Sequence, residues 1–278
     1  MTGLLQEIEK LSVLVFLISS MLAMGLTLTV RAMTAPLRDL RLVLLALGLN
    51  FVVAPGYAWL LTFVIPPDNQ HAIGLLLLGG AAGAPFLPKV VESARGDVAL
   101  AAALMGLLTL GTIVFLPLAL PLMIGGFHAD AWSIAEPLLL FIVLPLAGGM
   151  FVKRYAAGLA ARAAPILAMI GNAALVTFFV LLIALNFRAL LGILGSFVVV
   201  AALLYFCGLF FISYLLGGVK PEARGALALA TTGRNFGAAL APAANSFHDP
   251  KITTMIFVGA IVCIVVSFGA ARWLRRGH

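Results

Sequence analysis

Long apolar stretches follow one another with little between them, and this limits the fold more than any single motif does. They lie at roughly 10–30, 40–64, 71–93, 97–123, 132–152, 164–186, 191–216, 223–247 and 250–273. Each is long enough to cross a hydrocarbon core about 30 Å thick as a helix. The runs are continuous rather than alternating, which argues against a β-barrel. Of the 278 residues, 63% are hydrophobic and only 10% charged, whereas a soluble domain is about a quarter charged. A soluble protein of this size has too little interior to hide that much apolar surface. The expected fold is an all-α polytopic membrane protein with nine spans.

The net charge of +7 does not point to nucleic acid, because the basic residues are scattered singly or in twos and threes between apolar runs. They sort by side instead. Arg31, Arg38, Arg41, Lys89, Arg95, Lys153, Arg154, Arg162, Lys220, Arg224, Arg272, Arg275 and Arg276 fall at one set of segment ends. Lys10, Arg188 and Lys251 fall at the other. The positive-inside rule then expects the N-terminus outside and the C-terminus in the cytoplasm. The first ten residues, MTGLLQEIEK, lack the basic region of a signal peptide, so the first apolar run is expected to stay as a span.

Little here suggests an enzyme. Cys207 and Cys263 sit inside apolar runs with no metal or disulfide spacing. His71, His128, His248 and His278 fall at segment ends or in loops. No H-E-x-x-H or G-x-S-x-G motif occurs. No metal and no cofactor is expected.

Two segments depart from plain apolar helix. The third reads HAIGLLLLGGAAGAPFLPKVVESARGD, with Gly79, Gly80, Gly83, Pro85 and Pro88 near its centre. The eighth reads ARGALALATTGRNFGAALAPAANSF, punctuated by Gly233, Gly237 and Pro242. Proline removes a backbone donor and clashes with the preceding turn, while glycine permits a bend and close approach. One such segment is common in membrane helices. Two of them, five segments apart and so crossing in opposite directions, are the sequence pointer to an inverted-repeat transporter.

Each interruption also carries a cation, Lys89 in the third segment and Arg234 in the eighth. Counted from Arg224, Arg234 lies about 15 Å along a helix, near mid-membrane. A charge there costs about 2.5–3.5 kcal/mol on the most lenient scale. No Asp or Glu lies nearby in either segment's centre. Arg234 must then meet backbone carbonyls, water or an anionic ligand. Two readings stay open: a structural tie across the break, or a fixed charge beside a small organic anion. Asn235 and Thr231 or Thr232 are candidate hydrogen-bonding partners for that anion, as are Asn50, Asn172 and Asn186, each of these last three individually weak. A lone Asn in a span is as often helix–helix glue.

Four stretches carry a resemblance. MLAMGLTLTVRAM at 21–33, GYAWLL at 56–61, ARGDVALAAALMGLLTL at 94–110 and GRNFGAALA at 233–241 resemble motifs of the bile acid:sodium symporter family, in its bacterial relatives. The resemblance implies the nine-span form and a location in the bacterial inner membrane. It also implies two discontinuous helices that cross at their breaks, marked here by Gly83, Pro85, Pro88, Gly233 and Gly237. Residues 10–30 and 132–186 would form a panel domain, and residues 40–123 and 191–273 a core domain. Substrate would bind between the two, with access alternating from side to side. A monomer in contact with lipid is the default.

This sequence departs from the family at its sodium ligands. By the resemblance, the positions expected to offer oxygen ligands to sodium are Leu87, Pro88, Ala101, Met105 and Ala230. Arg234 replaces the glutamine that precedes Asn235. The expectation is a secondary transporter of small organic anions that is not coupled to sodium. A sodium-coupled symporter, and a channel or binding protein on the same fold, are the alternatives.

Overall fold

The computed structural model describes residues 2–29, 38–64, 69–124, 132, 136, 139–193, 197–218, 221–247 and 249–276. The regular structure among these residues is all helical, with no strand. In chain order the helices are α1 (Thr2–Thr27), α2 (Leu40–Gly48), α3 (Ala54–Leu61), α4 (Asn69–Gly80), α5 (Leu87–Ser93), α6 (Val98–Met123), α7 (Leu144–Tyr155), α8 (Ala157–Ile193), α9 (Phe197–Leu216), α10 (Pro221–Thr232), α11 (Phe236–Ser246) and α12 (Pro250–Arg276). Single π-helical turns at Leu49–Val53 and Leu139–Val143 lead into α3 and α7. The first of them makes Leu40–Leu61 one continuous span.

Nine spans are not what the structure holds. Among the described residues, six helical stretches are long and apolar enough to cross a membrane: Leu4–Thr27, Leu40–Leu61, Val98–Met123, Ala157–Leu185, Phe197–Leu216 and Pro250–Arg276. The third expected segment divides into α4 and α5, and the eighth into α10 and α11. The fifth is described as one stretch only from Leu139 to Tyr155. The Gly and Pro residues that interrupt the third and eighth segments leave pieces shorter than a bilayer crossing. Both long outer boundaries also move. α1 starts at Thr2, ahead of residue 10, and α8 starts at Ala157, ahead of residue 164.

The surface of these helices shows what solvent they face. On α6, Leu110, Val114, Leu118 and Leu122 are 48%, 64%, 64% and 87% exposed. They form one i, i+4 row, while Leu104, Leu108, Thr112, Leu116 and Leu120 on the same helix are buried. A helix apolar on both its inner and outer faces suits lipid rather than water. The chain is an all-α, multi-pass membrane bundle.

By contacts the chain forms two compact units. One is Met1–Val30 with Glu136–Ser196, and the other is Arg31–Ala135 with Phe197–His278. In the smaller unit α1 packs on both α7 and α8. Small residues let the backbones approach. A β-carbon on Gly25 would sit 2.9 Å from Gly149 Cα, and one on Gly171 would sit 2.7 Å from Ser20 Oγ. In the larger unit α4 packs against α12 and α3, and α9 against α10 and α12. That unit holds both interrupted helices.

Candidate functional site

The first interruption begins where α4 ends at Gly80. Residues 81–84 have no regular structure, a turn covers Pro85 and Phe86, and α5 starts at Leu87. Gly83 has φ +83°, a conformation that side-chain-bearing residues rarely adopt. Its missing β-carbon would also lie 2.5 Å from Thr109 N. Pro88 sits in the first turn of α5, where its absent N–H has no helical partner to lose.

A broken helix leaves backbone groups that lipid cannot satisfy. Here α6 satisfies them. Ala82 N donates to Thr112 Oγ1 at 2.9 Å, and the same hydroxyl donates back to Ala82 O at 3.0 Å. Thr109 Oγ1 donates to Gly83 O at 3.2 Å. Thr109 and Thr112, three apart, lie on one face of α6 and are both buried.

The second interruption is shorter. Gly233, Arg234 and Asn235 separate α10 from α11. Asn235 caps α11, its Oδ1 accepting from Ala238 N at 3.1 Å. Gly237 lies in the first turn of α11. The two interruptions meet. Asn235 N donates to Ala81 O at 2.9 Å, the rings of Phe86 and Phe236 stack at 5.7 Å, and a β-carbon on Gly233 would lie 3.1 Å from Ala84 Cβ.

Arg234 is 0% exposed at this junction. Its Nη1 donates to Gly79 O at 3.3 Å. Its Nη2 donates to Asn50 Oδ1 at 3.0 Å and to Thr231 O. Asn50 sits on the Leu49–Val53 π-helical turn and is itself 0% exposed. Single π turns inside helices often mark functional positions. Its Nδ2 donates to Ala46 O at 2.9 Å and to Thr231 Oγ1 at 3.2 Å. One guanidinium thus ties the second span to the end of α10 and the end of α4.

The remaining expected residues divide. Thr231 and Thr232 are buried beside Arg234, each hydroxyl donating to the carbonyl four residues earlier, Leu227 O at 3.0 Å and Ala228 O at 2.8 Å. Cys263 Sγ donates to Thr232 O at 3.4 Å. Lys89 is exposed on α5 and Asn172 is exposed on α8, so neither joins this cluster. Leu87, Ala101, Met105 and Ala230 are buried apolar side chains, and Pro88 is half-buried. The side chain of Asn186 lies outside the described residues.

Three buried donors around the junction find no partner among the described residues: Arg234 Nε, Asn235 Nδ2 and Tyr205 Oη. Sequence reasoning passes over Tyr205, an aromatic residue in an apolar run. It also passes over Thr109 and Thr112, whose spacing was the available signal.

Comparison with known proteins decides the family. The model described as the Sodium Bile acid symporter family matches residues 14–193. The chain belongs to that family. It is a family of carriers rather than enzymes, and this member is a membrane-spanning helical protein. The nine-span form that the resemblance implies is overturned by the six spans found above. The match covers the first interruption and Asn50 but stops short of Arg234. The chain is also 26% identical over 137 residues to a probable sodium/metabolite cotransporter, BASS1, of the Arabidopsis thaliana chloroplast. That alignment takes in 49% of this chain and 34% of the relative. The chain therefore spans about a third of that relative's length.

Proposed function

We propose that this protein carries small organic anions by alternating access and does so without sodium. The observation that supports this most is the oxygen shell around Arg234. Gly79 O, Asn50 Oδ1 and Thr231 O all accept from its guanidinium. Neutral carbonyl oxygens of this kind are what a bound monovalent cation would take. Here a tethered cation holds them, and a tethered cation cannot travel down a gradient. The apolar side chains of Leu87, Ala101, Met105 and Ala230 add no oxygen that would compensate a second, mobile cation.

In this reading the two interruptions belong to an inverted pair of repeats. Residues 40–123 and 191–273 act as a core, and residues 10–30 and 132–186 as a panel that moves relative to it. Arg234 supplies the field that favours an anion, and Asn235, Thr231 and Thr232 complete its surroundings. Lys89 and Asn172 contribute only if the protein's other conformations bring them in. Basic residues follow α1 and end α12 (Arg272, Arg275, Arg276), a pattern that supports the start of α1 outside and the C-terminus in the cytoplasm. A bacterial inner membrane and a monomer fit that arrangement.

A second reading has two names in its favour, that of the Sodium Bile acid symporter family and that of the Arabidopsis cotransporter. On that reading sodium drives uptake. Proteoliposomes separate the two. Uptake of labelled organic acids should be equal in sodium and in choline, and Arg234→Gln should lower it about tenfold or more, the effect of losing one buried charge contact. Uptake that needs sodium in the wild-type protein, or that survives Arg234→Gln unchanged, defeats the tethered-cation reading.

A further inference from the structure

We infer that Tyr205 is a ligand of the carried anion, sharing it with Arg234 Nε and Asn235 Nδ2, and that the anion is recognised by a carboxylate group. The inference rests on the anion reading above and adds a residue and a ligand class to it. It starts from the three orphan donors. Tyr205, Arg234 and Asn235 are each at least 99% buried, and one polar atom of each has no partner among the described residues. Buried donors are nearly always paired, so an orphan in a native fold calls for an unseen partner.

The three residues all lie around the end of α4, where Asn235 N also donates to Ala81 O at 2.9 Å. Arg234 and Asn235 are consecutive. Gly79 joins them to Tyr205. Its carbonyl accepts from Arg234 Nη1 at 3.3 Å, and a β-carbon on it would lie 3.6 Å from Tyr205 Oη. The Tyr205 ring is stacked on Tyr57 at 5.9 Å and packs edge-on with Phe206 at 5.1 Å, contacts that restrain its hydroxyl. Asn235 Oδ1 is committed to the cap of α11, which leaves its Nδ2 as the free end. The N-terminus of α11 adds partial positive charge.

The donor set defines its ligand. A guanidinium N–H, an amide N–H and a phenol O–H call for an acceptor with several lone pairs and negative charge. No buried Asp or Glu supplies it among the described residues. A carboxylate does, accepting from all three donors.

The experiment uses the full-length protein in detergent, in choline–Hepes without sodium, with choline acetate as the probe. Acetate should raise the melting temperature of the wild type saturably. Tyr205→Phe should keep the unliganded melting temperature or raise it, because it deletes a buried hydroxyl that has no protein partner. Its half-saturating acetate concentration should rise about tenfold, the effect of one hydrogen bond to a charged group. Asn235→Asp retains a capping oxygen for α11 but turns the donor into an anion, and the acetate response should vanish. Tyr205→Phe titrating like the wild type overturns the inference. So does a wild type that ignores acetate while proteoliposomes still take up organic acids, an outcome that leaves the carrier reading standing. Failure of every organic acid to enter proteoliposomes removes the carrier reading itself, and this inference with it.

Discussion

A guanidinium in an apolar interior is tolerated only where its N–H groups find acceptors. Arg234 has two backbone carbonyls and one side chain, Asn50. Asn50 is therefore the replaceable member of the shell. Asn50→Leu keeps the approximate volume and removes both the acceptor for Arg234 and the donor to Thr231. Unfolding in detergent should show a loss of about 1.5–3 kcal/mol, the range for hydrogen bonds to charged groups. Asn50→Asp makes the opposite change. It offers Arg234 a carboxylate, so the fold should hold while the fixed charge is neutralised, and organic-acid uptake should drop. Wild-type uptake in Asn50→Asp would mean that the charge on Arg234 has no part in transport. Arg234 itself was legible in the sequence, as a cation in an apolar segment with no carboxylate near. Its partner was not. Asn50 lies 184 residues away, and nothing local distinguishes it from Asn172, which the structure leaves exposed on another helix.

At the scale of elements, the breaks were readable because Gly and Pro act through the backbone, which depends on local sequence. Their consequences for span count were less readable. An interrupted apolar segment and an intact one have similar length and hydropathy, and only the folded backbone separates α4 from α5 and α10 from α11. Which glycines matter is also a question of packing. Gly83 has a positive φ and a β-carbon on it would lie 2.5 Å from Thr109 N, while Gly56 in α3 has nothing within 4 Å of its missing β-carbon. Gly83→Ala should cost more than about 2 kcal/mol, combining left-handed backbone strain with a backbone clash. Gly56→Ala should be neutral or stabilising by up to about 1 kcal/mol, the helix propensity difference. Thermal unfolding of the pair checks the contrast, and equal effects would show that the first interruption is not built as described. Thr112→Val tests the same element from its other side. It preserves shape and strips Ala82 of both partners, so a loss of about 1–3 kcal/mol is expected.

For the whole molecule the question is where the charge goes in each cycle. Proton coupling needs a buried group that titrates, and the described interior offers no carboxylate and no lysine, with Lys89 exposed on α5. Arginine keeps its proton. If the tethered cation stays in place and no ion accompanies the substrate, each inward step of a monocarboxylate moves one negative charge. Transport must then respond to voltage. A valinomycin-clamped potassium gradient that makes the proteoliposome interior positive should accelerate anion entry, and one that makes it negative should oppose it. The driving force is about 2.3 kcal/mol per charge at 100 mV, enough at equilibrium for an accumulation of about fifty-fold. An imposed sodium gradient at zero voltage should accumulate nothing. Accumulation under that gradient would place a mobile sodium where Arg234 is argued to stand. Uptake indifferent to voltage but dependent on internal anion would instead mark strict one-for-one exchange, a cycle in which the same fixed charge neutralises the substrate in both directions.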